Sequence, residues 1–302
     1  MLTAVGMDLT GKDFARVRRQ PAVVAAGLIG PILFLPPIAL AMEWAFRLPP
    51  DAAAGLLLVA ACPIGGISNT YSYLARASPA LSVTLTGLSC LLAFITMPLI
   101  GHALQAALRL PNDLAVPASA VLWQLFVMLT LPIALGMWIR RTWSDFALRH
   151  QHTGQRLAFL GVGLVLLFII LDDPAAFGAA IPATIPMVTA FVLCSFAVGW
   201  LTAAAVTPDV RDRFTLAAEF GTRNLGVAMA IAVTVLGRIE FARFAYLYFL
   251  IELVLMMIAV AWFRGRPSAP LVARSDRAVT GMPARGRDEL RPGGVSRGAT
   301  EP

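Results

Sequence analysis

The chain of 302 residues is 58% hydrophobic and only 14% charged, and its mean hydropathy is +0.76. Soluble domains carry about 25% charged residues, so this composition excludes an ordinary soluble protein. The net charge of +7 comes from arginines that lie between apolar runs or near the C-terminus. That placement is typical of the cytoplasmic loops of a membrane protein, and no nucleic-acid partner is expected.

Eight apolar stretches are predicted to be transmembrane helices. A helix needs about 20 mainly apolar residues to cross a hydrocarbon core of about 30 Å. Because a bilayer core offers no water to backbone N–H and C=O groups, these stretches must be helical. They run approximately over 22–46, 52–75, 79–108, 118–139, 157–171, 180–206, 214–236 and 241–263. The fold is therefore predicted to be all-α, in a multi-pass protein of the cell (inner) membrane.

The loop charges predict the orientation of these helices. One alternate set of loops carries most of the basic residues, namely Lys12, Arg16, Arg18, Arg19, Arg76, Arg140, Arg141, Arg149, Arg156, Arg211, Arg213, Arg264 and Arg266. This set is predicted to be cytoplasmic, which places both termini in the cytoplasm. We predict a transmembrane domain over 1–263 and a disordered cytoplasmic tail over 264–302, where apolar residues are too few to form a core.

Two of the predicted spans contain residues that interrupt a membrane helix. The second span includes 62–70, Cys-Pro-Ile-Gly-Gly-Ile-Ser-Asn-Thr, in which Pro63 lacks a backbone donor and two glycines permit nonhelical backbone. The seventh span includes 219–226, Glu-Phe-Gly-Thr-Arg-Asn-Leu-Gly, which places Glu219 and Arg223 among apolar residues. Charged side chains at membrane depth are costly and usually functional.

Interrupted helices at corresponding positions indicate a ligand site. Irregular backbone at membrane depth is tolerated where it is buried or lines a cavity, and paired breaks are typical of transporter binding sites. Each broken span lies between two long helices, as an inverted repeat would place it.

Structural explanations for the same residues remain open. Breaks of this kind also serve helix packing alone. Ser82, Thr84 and Thr86 in the third span could bond back to carbonyls of their own helix. Glu219 and Arg223 could form a structural i,i+4 ion pair. Glu252 in the last span is interpreted as an interhelical polar contact.

The two interrupted segments resemble the motifs of the bile acid:sodium symporter family. Members carry Cys-Pro-Gly-Gly-x-x-Ser-Asn, followed by Tyr-Leu-Ala-Arg and Ala-Leu-Ser-Val, and this chain has close counterparts at 62–69, 73–76 and 80–83. The second family motif, Glu-x-Gly-x-Gln-Asn-Ser-Gly, is matched by 219–226. The resemblance extends loosely over 6–263.

The resemblance implies a panel domain and a core domain in which two unwound helices cross, and sodium-coupled uptake of bile acids or other organic anions. It implies one site for Na⁺, a hard cation that takes oxygen ligands, formed by Ser68, Asn69, Ser82, Thr86 and Glu219. The predicted substrate-binding residues are Asn69, Thr70, Arg223 and Asn224.

Three departures from the family pattern modify this expectation. Pro31 and Arg223 align with the two glutamines of the family's second sodium site, and neither can ligate a cation through its side chain. Ile64 stands where the family has a glycine. Members also have two helices before the stretch that resembles 6–10, so these helices are expected to be missing here.

We therefore predict an organic-anion transporter with one sodium site. Arg223 would act as a built-in cation that replaces the second sodium, or would pair with the carboxylate or sulfonate of the substrate. A sodium-independent organic-anion carrier is one alternative. A membrane-embedded enzyme or sensor is another, although the sequence lacks the nucleophile–base pair or metal cluster that an enzyme needs. The oligomeric state does not follow from the sequence.

Overall fold

The computed structural model describes residues 18–108, 118–145 and 174–266, together with scattered residues between 153 and 171. The described helices are α1 (Pro21–Phe46), α2 (Pro50–Ala61), α3 (Ile67–Leu74), α4 (Pro79–Leu108), α5 (Ala118–Leu125), α6 (Leu131–Thr142), α7 (Pro174–Val206), α8 (Val210–Gly221), α9 (Leu225–Ala230) and α10 (Ile239–Arg264). Two π-helical stretches, Phe126–Thr130 and Ile231–Val235, join α5 to α6 and extend α9.

The all-α, polytopic fold predicted from the sequence is confirmed. Five described stretches are long and apolar enough to span a membrane, namely Pro21–Phe46, Pro79–Ile100, Leu122–Thr142, Thr184–Val206 and Ile239–Arg264. The second and seventh predicted spans are each divided into two shorter helices. Most of the predicted fifth span, the stretch 6–10 and the tail after 266 lie outside the described residues, so the helix count, the tail and the orientation of the termini stay predictions.

Prolines define where several helices begin. Pro21, Pro50 and Pro79 are the first residues of α1, α2 and α4. At the start of a helix the missing N–H of proline costs no hydrogen bond, and its fixed φ already suits the helix. The α1 helix ends where Arg47 adopts a left-handed conformation with φ 49°. A short loop then leads to α2, which begins at Pro50.

Each broken span lies between two long helices, as predicted. The first half has α1, then α2 and α3, then α4, and the second half has α7, then α8 and α9, then α10. The α8 helix packs against α7, α1 and α10, and α3 packs against α4. By contrast, only 22% of the apolar 18-residue stretch within Leu122–Thr142 is buried, against 50% of the corresponding stretch within Pro79–Ile100. The α5–α6 helix therefore has the larger surface available to lipid.

The two breaks cross and pair through their backbones. Ile64 and Arg223 form an isolated antiparallel bridge. The N–H of Gly65 donates to the carbonyl of Thr222 over 3.3 Å, and the N–H of Asn224 donates to the carbonyl of Pro63 over 2.8 Å. Because water is absent at membrane depth, backbone groups released from one helix must find partners elsewhere. Here the other break supplies those partners.

We predict that Gly65→Ala destabilises this crossing. A Cβ at Gly65 would overlap the carbonyl oxygen of Arg223 and lie 2.9 Å from its carbonyl carbon. Since both atoms belong to backbone, the crossing has to move apart, at a cost of about 1–3 kcal/mol. Thermal unfolding of the purified protein in detergent measures the loss. Gly178→Ala is the matched control, since a Cβ there meets nothing within 4 Å. Equal melting temperatures for the two variants would contradict the prediction.

Candidate functional site

A cluster of side-chain oxygens surrounds Glu219 beside the crossing. Glu219 lies in the last turn of α8 and is fully buried. The hydroxyl groups of Ser68 and Thr86 donate to the Glu219 carboxylate over 3.0 and 3.4 Å. The hydroxyl of Ser82 makes a further short hydrogen bond to the same carboxylate. Ser82 and Thr86 also approach Oδ1 of Asn69, at 2.7 and 3.3 Å. All five residues of the predicted sodium site therefore meet at one point.

The local structure explains why these side chains converge. Ser68 and Asn69 lie in the first turn of α3, directly after the first break. Ser82 and Thr86 are one helical turn apart on α4, so both face the same way. The neighbouring Thr84 bonds back to the carbonyl of Ala80 over 2.7 Å. Back-bonding, left open by the sequence, thus describes Thr84 but not Ser82 or Thr86.

The oxygen cluster has fewer protons than its short contacts require. Ser68, Ser82 and Thr86 bring three hydroxyl protons. The oxygen–oxygen contacts of 3.5 Å or less among these residues, Glu219 and Asn69 are more numerous than three protons can bridge. Ser68 additionally approaches the carbonyl oxygen of Gly65 at 2.9 Å. Such a group of oxygens around a single carboxylate suits a small hard cation.

Arg223 lies at the second break and makes its hydrogen bond outside the oxygen cluster. Its side chain is buried, and its Nη2 donates to the carbonyl oxygen of Cys62. Its Nε and Nη1 atoms have no hydrogen-bond partner among the described residues. The i,i+4 ion pair with Glu219 that the sequence left open is therefore wrong. The physical reason is that α8 ends at Gly221, so the helical geometry needed for such a pair is lost.

A small cavity is lined in part by Arg223. It is bounded by α1, α2, α4 and the second break, and Pro31 lines it together with Arg223. The two positions that depart from the family's second sodium site are thus brought together. The cavity is also lined by Ser89 and Thr96 of α4, which the sequence interpretation missed. Ser89 and Thr96 follow Thr86 by three and ten residues, which places all three on the same face of α4. This spacing could have indicated them from the sequence.

The other predicted substrate-binding residues lie at different places around the crossing. Asn69 belongs to the oxygen cluster. Asn224 is buried, and its Oδ1 accepts the N–H of Val227 over 3.3 Å, which caps α9. Thr70 is half-buried on α3. In the described part of the chain only Arg223 of these four residues lines the cavity, and their substrate-binding roles stay predictions.

A second buried carboxylate supports the second break. Glu252 of α10 accepts hydrogen bonds from Thr222 over 2.9 Å and from the hydroxyl of Tyr71 over 3.4 Å. The hydroxyl of Tyr248, one turn earlier on α10, donates to the carbonyl of Gly221 over 2.8 Å. The interpretation of Glu252 as an interhelical contact is confirmed, since it joins α10 to α3 and to the break.

These features define a class of protein. A bundle of apolar helices in which two broken helices cross beside a buried carboxylate and a cavity has the architecture of a secondary transporter. Residues 1–175 match the family model described as Sodium Bile acid symporter family. Because this match covers more than half of the chain, the protein belongs to that family.

Similar proteins agree with this membership. The "Uncharacterized sodium-dependent transporter YocS" of Bacillus subtilis is 24% identical over 77% of this chain and 71% of its own length. The rat "Sodium/bile acid cotransporter 4" is 33% identical over 72% of this chain and 50% of its own length. The rice "Probable sodium/metabolite cotransporter BASS2, chloroplastic" is 30% identical over 49% of this chain and 34% of its own length. The chain thus spans half or less of the latter two relatives.

The family and the named relatives are transporters rather than enzymes, and these relatives are named as sodium-dependent or sodium cotransporters. The predicted alternative of a membrane-embedded enzyme is not retained. The substrate and the number of sodium sites require a separate argument from the site.

We predict that Thr222→Val destabilises the second break. The substitution keeps the shape of the side chain but removes the shorter of the two hydrogen bonds to the buried Glu252 carboxylate. Loss of a hydrogen bond to a buried acidic group costs about 1–3 kcal/mol, measurable by thermal unfolding in detergent. Thr234→Val is the control, since that exposed hydroxyl only returns to Ala230 of its own helix. A Thr222→Val protein that melts with the control would contradict the prediction.

Proposed function

We propose that this protein is a sodium-coupled transporter of small organic anions that binds one sodium ion in the oxygen cluster around Glu219. The observation that carries the proposal is the convergence of hydroxyl, amide and carboxylate oxygens on one buried acidic group. A monovalent cation would neutralise the carboxylate and occupy the contacts that lack a proton. Sodium is favoured because the relatives are named as sodium-dependent or sodium cotransporters.

The composition of the cluster argues against a divalent metal. It holds a single carboxylate, while the remaining ligands are neutral oxygens. In the ranges that the structure describes, no group of three His, Cys, Asp or Glu residues could hold a metal ion. A net ligand charge of minus one matches a monovalent ion, because an uncompensated charge is costly to bury.

Arg223 supports a stoichiometry of one sodium per substrate. Its guanidinium is permanently charged and lines a cavity together with Pro31, where the family pattern has two glutamines. Two unit positive charges about 4 Å apart repel by about 4 kcal/mol at an effective dielectric constant of 20. A sodium ion in this cavity would therefore be unfavourable, and we propose that Arg223 provides the positive charge of the second site.

The same fixed charge favours an anionic substrate. Two N–H groups of this guanidinium have no partner among the residues that the structure describes, and such donors suit a carboxylate or sulfonate group. We propose that Arg223 binds the acid group and that Asn69, Thr70 and Asn224 contact the substrate when the crossing opens. A sodium-independent carrier that uses Arg223 alone is the second candidate, and the sodium requirement distinguishes the two.

We predict sodium-driven uptake with one sodium ion per organic anion. Proteoliposomes containing the full chain are given a panel of labelled organic anions under a sodium gradient, a proton gradient or no gradient. Uptake should require sodium, and the measured flux ratio should be one. Two sodium ions per anion would overturn the role of Arg223, and equal uptake without sodium would favour the second candidate.

We predict that Ser82→Ala weakens sodium binding and leaves the fold intact. The hydroxyl of Ser82 contacts both Glu219 and Asn69, so its loss removes one ligand and two polar contacts from the cluster. The sodium concentration for half-maximal uptake should rise about tenfold, as expected for a lost interaction with a charged group. Thr84→Val on the same helix removes a hydroxyl outside the cluster. If both variants have the same sodium dependence, the site is assigned incorrectly.

A further inference from the structure

We infer that Glu252 is a proton-binding site, and that the protein carries one proton together with each sodium ion and organic anion. The inference rests on the proposed function and deepens it by naming a second coupling ion. Glu252 lies in α10, a helix long and apolar enough to span a membrane, and its side chain is only 1% exposed. Ionisable side chains at membrane depth are costly, and they typically mark the path of an ion or a proton.

The described partners of Glu252 are hydroxyl groups. One carboxylate oxygen accepts a hydrogen bond from Thr222 at the second break over 2.9 Å, and the other accepts one from Tyr71 of α3 over 3.4 Å. No basic side chain of the described ranges is among its hydrogen-bond or ion-pair partners. An ionised carboxylate is therefore buried here without a contacting counter-charge, and a proton would remove the cost of burying that charge.

Hydroxyl partners suit a carboxyl group that changes its protonation state. A hydroxyl donates to an ionised carboxylate, and it accepts from a protonated one after its own hydrogen has rotated. The surroundings of Glu252 can therefore hold either state without moving a heavy atom. A lysine or arginine partner only donates, so it would favour the ionised state alone. A purely structural contact to two hydroxyl groups could be made by glutamine, which buries no charge.

The other ionisable groups near Glu252 do not compensate its charge. The titratable groups that interact with it are Tyr71 of α3 and Tyr248 of α10 itself. Glu219 of α8 and Arg223 of the second break make their hydrogen bonds elsewhere. No further ionisable side chain from the described helices that pack against α10 is among the contacts of Glu252.

Protonation of Glu252 is linked to the crossing, because its two hydroxyl partners belong to different broken helices. Tyr71 lies in the helix that follows the first break, and Thr222 lies in the second break. If the two broken helices move apart during transport, Glu252 cannot keep both donors. The ionised form then loses more stabilisation than the protonated form. Opening of the crossing therefore favours proton binding, and proton binding favours opening.

Counting charges gives the proton a place in the loaded protein. In the proposed complex, the sodium ion neutralises Glu219 and the acid group of the substrate neutralises Arg223. Among the described residues at the crossing, Glu252 is then left without a compensating charge, and one proton makes the loaded site neutral. The proton binds a carboxylate oxygen from one side of the membrane and leaves to the other, so only an O–H bond forms and breaks. One sodium ion and one proton per monovalent anion carry one net positive charge.

Uptake under imposed gradients tests this transport of protons. Proteoliposomes containing the full chain receive labelled taurocholate or butane-1-sulfonate, which stay ionised and do not cross the bilayer as neutral acids. The inward sodium gradient is held constant, and an inward proton gradient or an inside-negative membrane potential is added. Both additions should increase uptake, and a proton gradient of about tenfold should raise the final accumulation by up to about tenfold.

Matched variants of two glutamates on α10 make this result specific. Glu252→Gln imitates the protonated side chain permanently, so it should lose both responses while its remaining uptake still requires sodium. Glu240→Gln is the control, because that acid is exposed and pairs with Arg238 at the start of the helix. The control should respond to the proton gradient and to the membrane potential like the wild type.

Infrared difference spectroscopy of the purified protein in detergent detects the proton without transport. Lowering the pH should produce the carbonyl stretching band of a protonated carboxylic acid, which Glu252→Gln removes and Glu240→Gln retains. Tyr71→Phe keeps the carboxyl group but removes one donor to its ionised form. The band of this variant should persist to a pH about one unit higher, which is about a tenfold change in proton concentration.

The two measurements separate this inference from the proposed function. If sodium drives uptake but neither the proton gradient nor the potential changes it, the proton site is wrong and the transport function stands. If sodium drives no uptake while Glu252→Gln removes the infrared band, the proposed function fails and the proton site stands. If Glu252→Gln does not fold, the responses of the wild type and the band of Tyr71→Phe decide. An unshifted band in Tyr71→Phe would then overturn the inference.

Discussion

The backbone pairing of the two helix breaks is the constraint on which the rest of the structure depends. In a bilayer, the N–H and C=O groups released by Pro63 and by the end of α8 have no water to bond. The hydrogen bonds of Gly65 to Thr222 and of Asn224 to Pro63 satisfy these groups, and they fix the two halves of the protein in one register. The polar side chains around the crossing take their positions from that register.

The crossing also separates opposite charges that are close in sequence. Glu219 belongs to the last helical turn of α8, whereas Arg223 belongs to the extended backbone of the break. In a continuous helix the two side chains would lie on one face and neutralise each other. The break directs the carboxylate to the hydroxyl groups of α3 and α4 and the guanidinium to the carbonyl of Cys62. One short motif therefore places its carboxylate and its guanidinium among different partners.

Much of this arrangement could be predicted from the sequence, since apolar length and proline position determine membrane helices strongly. The predicted span that starts at 79 begins where α4 begins, and 22–46 differs from α1 by one residue. The oxygen cluster was predictable from its residue types and from the family motifs. Whether Glu219 and Arg223 form an ion pair was not predictable, because helical spacing assumes a helix that continues past Gly221. The partner of a hydroxyl is equally hidden in sequence: Ser82 bonds to Glu219, whereas Thr84, two residues along α4, bonds back to Ala80.

Ile64 has a consequence for how the two sites communicate. Its N–H donates to Ser89, its backbone bridges to Arg223, and it lies four residues before Ser68 of the oxygen cluster. A displacement of this residue would alter the surroundings of both ligands together. Under the proposed function this coupling would be reciprocal: the cation and the anion would change each other's affinity by the same factor. The isoleucine that replaces a family glycine at this point is only 1% exposed, so its bulky side chain is packed into the crossing.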